Sequence, residues 1–226
     1  MSDFCAVGLV RILSLTGVTG SAHRAGMKRL ALLLVGFLAG CASNNPQNLL
    51  VLGNSITRYG PNPSVGWAGD WGAAAPSEAQ DFAHLTESAL KLPVTVQNVS
   101  IETEPQAPLP ILSITRSTVV VIELGDNAAF LPVPPFAAAY DNLTSLAATS
   151  NRFACTSTWW TYTDIDNVIQ QACGAHRGHY VYIGDLRLSP ENSDNLVVQF
   201  AFWGLNDHPR QWGHEHIAER VISALK

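Results

Sequence analysis

Three residues carry side chains that together can perform acyl transfer. Ser55 lies in "LVLGNSITRYG", Asn127 in "ELGDNAAF" and His208 in "NDHPRQWGHEHIA". Hydrolysis through serine needs a hydroxyl to attack, a base to take its proton, and donors for the oxygen that becomes negative. Serine, histidine and asparagine supply one of each. Their order along the chain is immaterial, because such constellations are defined by geometry. Taken singly, each has an ordinary alternative. A serine after Leu-Gly is commonly a turn residue or helix cap. His-Pro is commonly a loop, and Gly-Asp-Asn a turn. What decides between the readings is whether the fold brings the three together.

The elements that must position them are legible as an alternation. Leu49 to Leu52, Val94 to Val99 and Ser117 to Leu124 read as strands, the last nearly continuous and β-branched, as in a strand buried on both faces. "RFACTSTWW" (Arg152 to Trp160) and "HYVYIGDL" (His179 to Leu186) are two further strand candidates. Helical patterns fall between them. One follows Ser77 as its cap, with Phe82, Leu85, Ala89 and Leu92 on one stripe. The others are "PPFAAAYDNLTSLAA" with proline at its start, "TDIDNVIQQAC", and a last helix carrying Ile217, Val221 and Leu225. Alternation of this kind predicts an α/β fold: a three-layer α/β/α sandwich around a mostly parallel, flavodoxin-like five-stranded sheet. Ligands in such sheets bind beyond the carboxyl ends of the strands. Ser55 and Asn127 each follow a strand, and His208 precedes the last helix.

Composition sets the bounds. The chain has 226 residues, 47% hydrophobic and 14% charged, which suits a packed core and argues against disorder. Net charge is −5 and no basic stripe appears, so nucleic acid is not the expected partner. The first forty residues read as processing. Met27-Lys28-Arg29 is a basic start, and Met27 an alternative initiator. Leu30 to Leu38 is an apolar run too short to span a bilayer, and "LAGC" follows. "LAGC" resembles the bacterial lipoprotein signal, which implies lipidation of Cys41 and an exported protein anchored to the envelope on the periplasmic side. Residues 1–40 are then leader and signal, 41–48 a tether, and 49–226 a single domain. In an oxidising compartment Cys155 and Cys173 are expected to pair, two separate buried thiols being the alternative.

Here a resemblance enters. "VLGNSIT" resembles the first block of the SGNH, or GDSL-like, hydrolases, with Asn54 where aspartate is usual. "VVVIELGDN" resembles their Gly-x-Asn block through Gly125 and Asn127. "DHPRQWGHEHIAERV" resembles their last block, and "GPNPSVGWAGDWGAAA" a loop found in a bacterial branch. The resemblance spans Leu49 to Leu225. It implies a serine esterase acting through an acyl-Ser55 intermediate, with His208 as base. Asn127 and the Ser55 N–H would form the oxyanion hole, and no metal or cofactor is called for. The implied substrate is a small acyl ester, acetyl among the candidates, on a carbohydrate or envelope polymer. A glycan acyltransferase and a non-catalytic envelope-binding lipoprotein are the alternatives.

The chain departs from the pattern twice. Leu205 stands where the family has aspartate three residues before the histidine, and Asp207, adjacent to His208, is expected to point away. A Ser-His dyad oriented by a backbone carbonyl or another acceptor follows. After the second strand, "NVSIETEP" lacks the glycine that often supplies a further oxyanion donor, leaving Asn98 or Ser100 as substitutes. In "HEH", His214 and His216 open a helix, where alternate side chains diverge, so they read as a solvated start rather than a metal pair. Trp67 and Trp71 either stack on a sugar or cover the core. Trp159 and Trp160 end a strand, where they either line the cleft or, as the safer reading, pack in the core.

Overall fold

The structure is a computed structural model describing residues 45–193, 200–201 and 203–226. Cys41 and the leader lie outside the described residues. Strand β1 (Asn48–Gly53) pairs in parallel with β2 (Val94–Asn98) on one side and β3 (Thr118–Glu123) on the other. β4 (Arg152–Thr156) and β5 (His179–Val181) extend the sheet in the order β2-β1-β3-β4-β5, every pair parallel. The helices are α1 (Phe82–Leu90), α2 (Val133–Ala147), α3 (Thr163–Ala175), the short α4 (Pro190–Ser193) and α5 (Trp203–Asn206), and α6 (Gln211–Leu225).

Both sheet faces are covered, which is why the central strands are apolar at every position rather than at alternate ones. Leu50, Leu52, Val120 and Ile122 point to one side and pack on Phe136, Tyr140 and Leu143 of α2 and Ile165 and Ile169 of α3. Leu49, Val51, Val119 and Val121 point to the other and meet Phe82 of α1 and Ile217, Val221 and Leu225 of α6. Each such side chain, fully buried, contributes about 1.5–3 kcal/mol. The expected α/β/α sandwich is therefore the observed fold. A Cys155–Cys173 disulfide joins β4 to α3 within the first of these cores.

Four details differ from the sequence expectations. β4 stops at Thr156 instead of running to Trp160, because after Ser157 N–H, which still reaches the Val181 carbonyl, the backbone donors go to carboxylates. Thr158 N–H donates to Asp166 (2.7 Å), and Trp159 and Trp160 N–H donate to Asp126 (2.8 and 3.2 Å). β5 stops at Val181 because Ser157 Oγ accepts from Ile183 and Gly184 N–H. The first helix is capped by Asp81, whose carboxylate accepts from His84 N–H at 2.8 Å. Ser77 precedes only a 3₁₀ turn over Glu78–Gln80. Finally, His214 is not solvated. It is completely buried, takes Phe82 N–H on Nδ1 (3.2 Å) and donates from Nε2 to the Ala73 carbonyl (3.1 Å). Burial lowers its pKa, so it serves as a neutral clamp between α6, α1 and the loop after Ser55.

Candidate active site

β1 lies between β2 and β3, with Gly53 in register with Asn98 on one side and Glu123 on the other. The segments leaving these three strand ends therefore emerge side by side, at the edge where parallel sheets bind ligands. β1 ends at a glycine for a steric reason. A Cβ at Gly53 would lie 1.8 Å from Thr57 Oγ1 and 2.7 Å from the Glu123 carbonyl. The chain turns at once: Asn54 O accepts from Thr57 N–H (2.9 Å) and Arg58 N–H (2.7 Å), and Ser55 O accepts from Ala73 N–H (2.9 Å). Ser55 is thus presented on a tight turn tied to the Trp-rich loop.

His208 sits between α5 and α6. Its Nε2 lies 2.8 Å from Ser55 Oγ, and its Nδ1 2.7 Å from the Gly204 carbonyl. A carbonyl only accepts, so Nδ1 carries the proton and Nε2 presents its lone pair to the serine hydroxyl. Burial pulls the imidazole pKa down to about 4. At neutral pH the ring is uncharged, the state a base requires. The edge of Trp160 meets the ring at 5.1 Å between centroids. Asp207 faces elsewhere: its carboxylate accepts from Trp160 Nε1–H (2.6 Å) and Arg187 (3.0 Å). Leu205 is buried and forms part of the cleft wall.

Asn127 follows β3. Gly125, at φ +137°, makes the turn that aims the Gly125 and Asn127 N–H groups at one acceptor, Glu102. Glu102 comes from the one-turn helix Ser100–Glu102 after β2 and is almost wholly buried. It also accepts from Asn54 Nδ2 (2.7 Å) and Asn127 Nδ2 (3.2 Å). Behind it lie Glu123 and Asp126, also buried. Desolvation first, then repulsion within the acidic group, raises Glu123 to about 8 and Asp126 well above its ordinary value. Thr57 Oγ1 donates to Glu123 at 3.0 Å.

A cleft of ≈ 360 Å³ opens over these groups, lined by Asn54, Ser55, Tyr59, Thr103, Asn127, Leu205 and His208. The three chemistry-bearing residues of the sequence thus meet in one cleft. Asn98 is not part of its lining: its amide donates to the Arg58 carbonyl (3.0 Å). Ser100 opens the turn that delivers Glu102. Trp67 is buried, donates to the Tyr59 carbonyl (2.9 Å) and packs edge-on against Trp71 and Phe200, so packing accounts for it. Trp159 is a core residue, whereas Trp160 is a half-buried neighbour of the site. Glu102 is the group that sequence reasoning missed; a backbone carbonyl was among the acceptors expected for His208, and it is that of Gly204, whose position in the sequence could not be read. The carbonyl leaves no mark in a sequence. Glu102 left a faint one, an acid in the segment where a donor was sought. Among the described residues no group of three or more His, Cys, Asp or Glu is arranged to hold a metal ion.

No family model matches the sequence, and no curated protein does. Solved structures do match. A carbohydrate esterase, whose active site is described as having divergent catalytic and non-catalytic binding functions, superposes with TM-score 0.52 at 15% identity, over 80% of this chain and 65% of that one. An active-site mutant of a family two carbohydrate esterase from Clostridium thermocellum gives 0.50 at 17%, over 80% and 64%. The chain thus spans slightly under two thirds of both. A GDSL-like protein from Bacteroides uniformis gives 0.50 at 12%, over 79% and 95%. The fold of this chain is that of the SGNH, or GDSL-like, hydrolases.

Proposed function

We propose that the protein is a serine esterase that removes a small acyl group from a carbohydrate through an acyl-Ser55 intermediate. The observation that carries the reading is the 2.8 Å contact between Ser55 Oγ and His208 Nε2, with the other ring nitrogen held by the Gly204 carbonyl. Ser55 Oγ attacks the ester carbon as its proton passes to His208 Nε2. The carbonyl oxygen becomes negative and is met by Asn127 Nδ2–H and the Ser55 N–H. Collapse breaks the bond to the alcohol, which leaves with the proton from His208. Water then repeats the sequence and frees the acid. A cleft of ≈ 360 Å³ is at the small end of ligand sites and favours a short acyl chain. The carbohydrate part rests on the structural likeness to carbohydrate esterases. Export and a lipid on Cys41 rest on "LAGC" alone. On that reading the substrate belongs to the cell envelope, and Cys41→Ser should leave the protein unprocessed or released from membranes.

The test is hydrolysis of p-nitrophenyl acetate and acetylated sugars by the domain and by Ser55→Ala. Loss of turnover in a folded Ser55→Ala, together with a Ser55-linked adduct from a serine-reactive phosphonate, is the expected result. Equal rates in the two proteins would make "GNSIT" merely a strand end.

A further inference from the structure

The acidic side chain beside the cleft has no place in the Ser-His reaction, yet it is hydrogen-bonded to the turns that follow both β1 and β3. Glu102 accepts four hydrogen bonds: Gly125 and Asn127 N–H on Oε1, and the Asn54 and Asn127 side-chain amides on Oε2. These donors come from the ends of two other strands. One, Asn54, precedes Ser55, and another, Asn127, lines the cleft. Only N–H groups converge on the carboxylate, which is the pattern of an acceptor-only group.

We propose that Glu102 is a positioning residue for the oxyanion hole, fixing which way the amides of Asn54 and Asn127 face. This rests on the esterase reading above. The argument is one of satisfiability. An asparagine amide presents NH₂ or oxygen according to its neighbours. A carboxylate next to it accepts only NH₂, because two oxygens would repel. Asn127 Nδ2 has two hydrogens. With one engaged by Glu102, its nitrogen stays in place and the second N–H is available to the cleft. A donor held before reaction needs no reorganisation when charge develops. Asn54 held in the same way fixes the turn that carries Ser55. Thus the segment after β2, which contributes no glycine donor, contributes an acceptor that organises the donors of its neighbours.

Glu102→Gln tests this without changing size. The Gly125 and Asn127 backbone N–H groups cannot turn, so the glutamine must give them its oxygen. Its NH₂ then faces the two asparagine NH₂ groups, which must turn over and withdraw the Asn127 nitrogen. For p-nitrophenyl acetate, kcat should fall about 10²–10³-fold, as for loss of one oxyanion donor, with KM changed less than about threefold. Asn127→Ala should do the same, and the double variant should be no worse than the poorer single one, since residues acting as one unit are non-additive. A kcat within about threefold of wild type, or multiplicative losses in the double variant, would overturn the proposal. The side-chain NH₂ signals of Asn54 and Asn127 give a second readout that does not depend on esterase activity. In ¹⁵N NMR of the wild-type protein one hydrogen of each NH₂, the one on Glu102, should be shifted downfield as in a charge-assisted hydrogen bond, and in Glu102→Gln that shift should be lost. Ordinary, unshifted amide signals in the wild type would refute the positioning role even if Glu102→Gln failed to fold. If Ser55→Ala proved as active as wild type while the amides behaved as expected, the esterase reading would fall and the positioning would stand.

Discussion

At the scale of single residues, the base of the proposed esterase is a histidine whose orienting partner is a backbone carbonyl. A carbonyl fixes the tautomer and its hydrogen bond favours the protonated ring, but it has no full charge with which to stabilise an imidazolium. Burial outweighs it, and the His208 pKa falls to about 4. The base works only when neutral, so activity is lost as pH falls through the pKa. The acid limb of kcat/KM should therefore have its midpoint near 4, well below the value of about 6.5 for an ordinary histidine. A pH–rate profile between 3 and 8 checks this, and a midpoint at the ordinary value would contradict it. The neighbouring Asp207 acts at one remove, by holding Trp160 against the ring. Asp207→Ala should lower kcat less than tenfold, whereas His208→Ala should lower it about 10²–10⁴-fold, the usual contribution of general base catalysis. Steady-state kinetics of the two folded variants decides it. Equal losses would mean that Asp207 serves the imidazole directly.

At the scale of elements, the site is assembled by what ends each strand. Gly53, Asn98 and Glu123 are neighbours in register, so the turns that follow them converge whatever their own sequence. The fourth contribution, the His208 segment, belongs to no strand and is tied down by contacts of α6: His214 reaches the Ala73 carbonyl, and Ala73 N–H reaches the Ser55 carbonyl. On the far side of the sheet, the disulfide closes a segment with a sequence separation of 18 between Cys155 and Cys173. On the loop-entropy account a link of that length contributes about 3 kcal/mol. Cys155→Ala/Cys173→Ala should lower the urea midpoint accordingly while leaving kcat near wild type, because the bond lies in the core that faces α2 and α3 rather than in the cleft. Denaturation curves and a mass measurement of unreduced protein test both parts. Two free thiols in the latter would remove the premise.

For the molecule as a whole, the buried acids Glu123 and Asp126 couple stability to pH. Glu123 holds its proton to about 8 in the folded state, against an ordinary 4.5. The folded state therefore binds that proton more tightly than the unfolded chain does. Its contribution to stability is complete below about 4.5 and is lost as pH rises through about 8. Asp126, raised for the same causes, pushes in the same direction. Glu123→Gln keeps the acceptor for Thr57 and cannot ionise. It should match wild type near pH 5 and exceed it above pH 8. Melting temperatures of the two proteins across that range are the check, and parallel curves would show that Glu123 does not retain its proton.

The sequence by itself determined the layers. The apolar runs from Leu49 to Leu52 and from Val119 to Ile122 can be buried only from both sides, and the apolar stripes of the intervening helices supply the cover. It also determined the chemistry on offer, because Ser55, Asn127 and His208 are chemical types placed at strand ends or before a helix, and type and placement are local properties. Tertiary structure decided their partners. The Gly204 carbonyl is a backbone group and has no letter. Glu102 meets Asn54 and Asn127 only because β2, β1 and β3 lie side by side. His214 looked solvated because a helix start is locally polar, but α6 packs that first turn against α1. Strand ends likewise shifted where distant side chains, Asp126, Asp166 and Ser157, captured the backbone donors. Periodicity and residue type are written along the chain, whereas a hydrogen-bond partner is settled by distances between segments that the chain brings together only on folding.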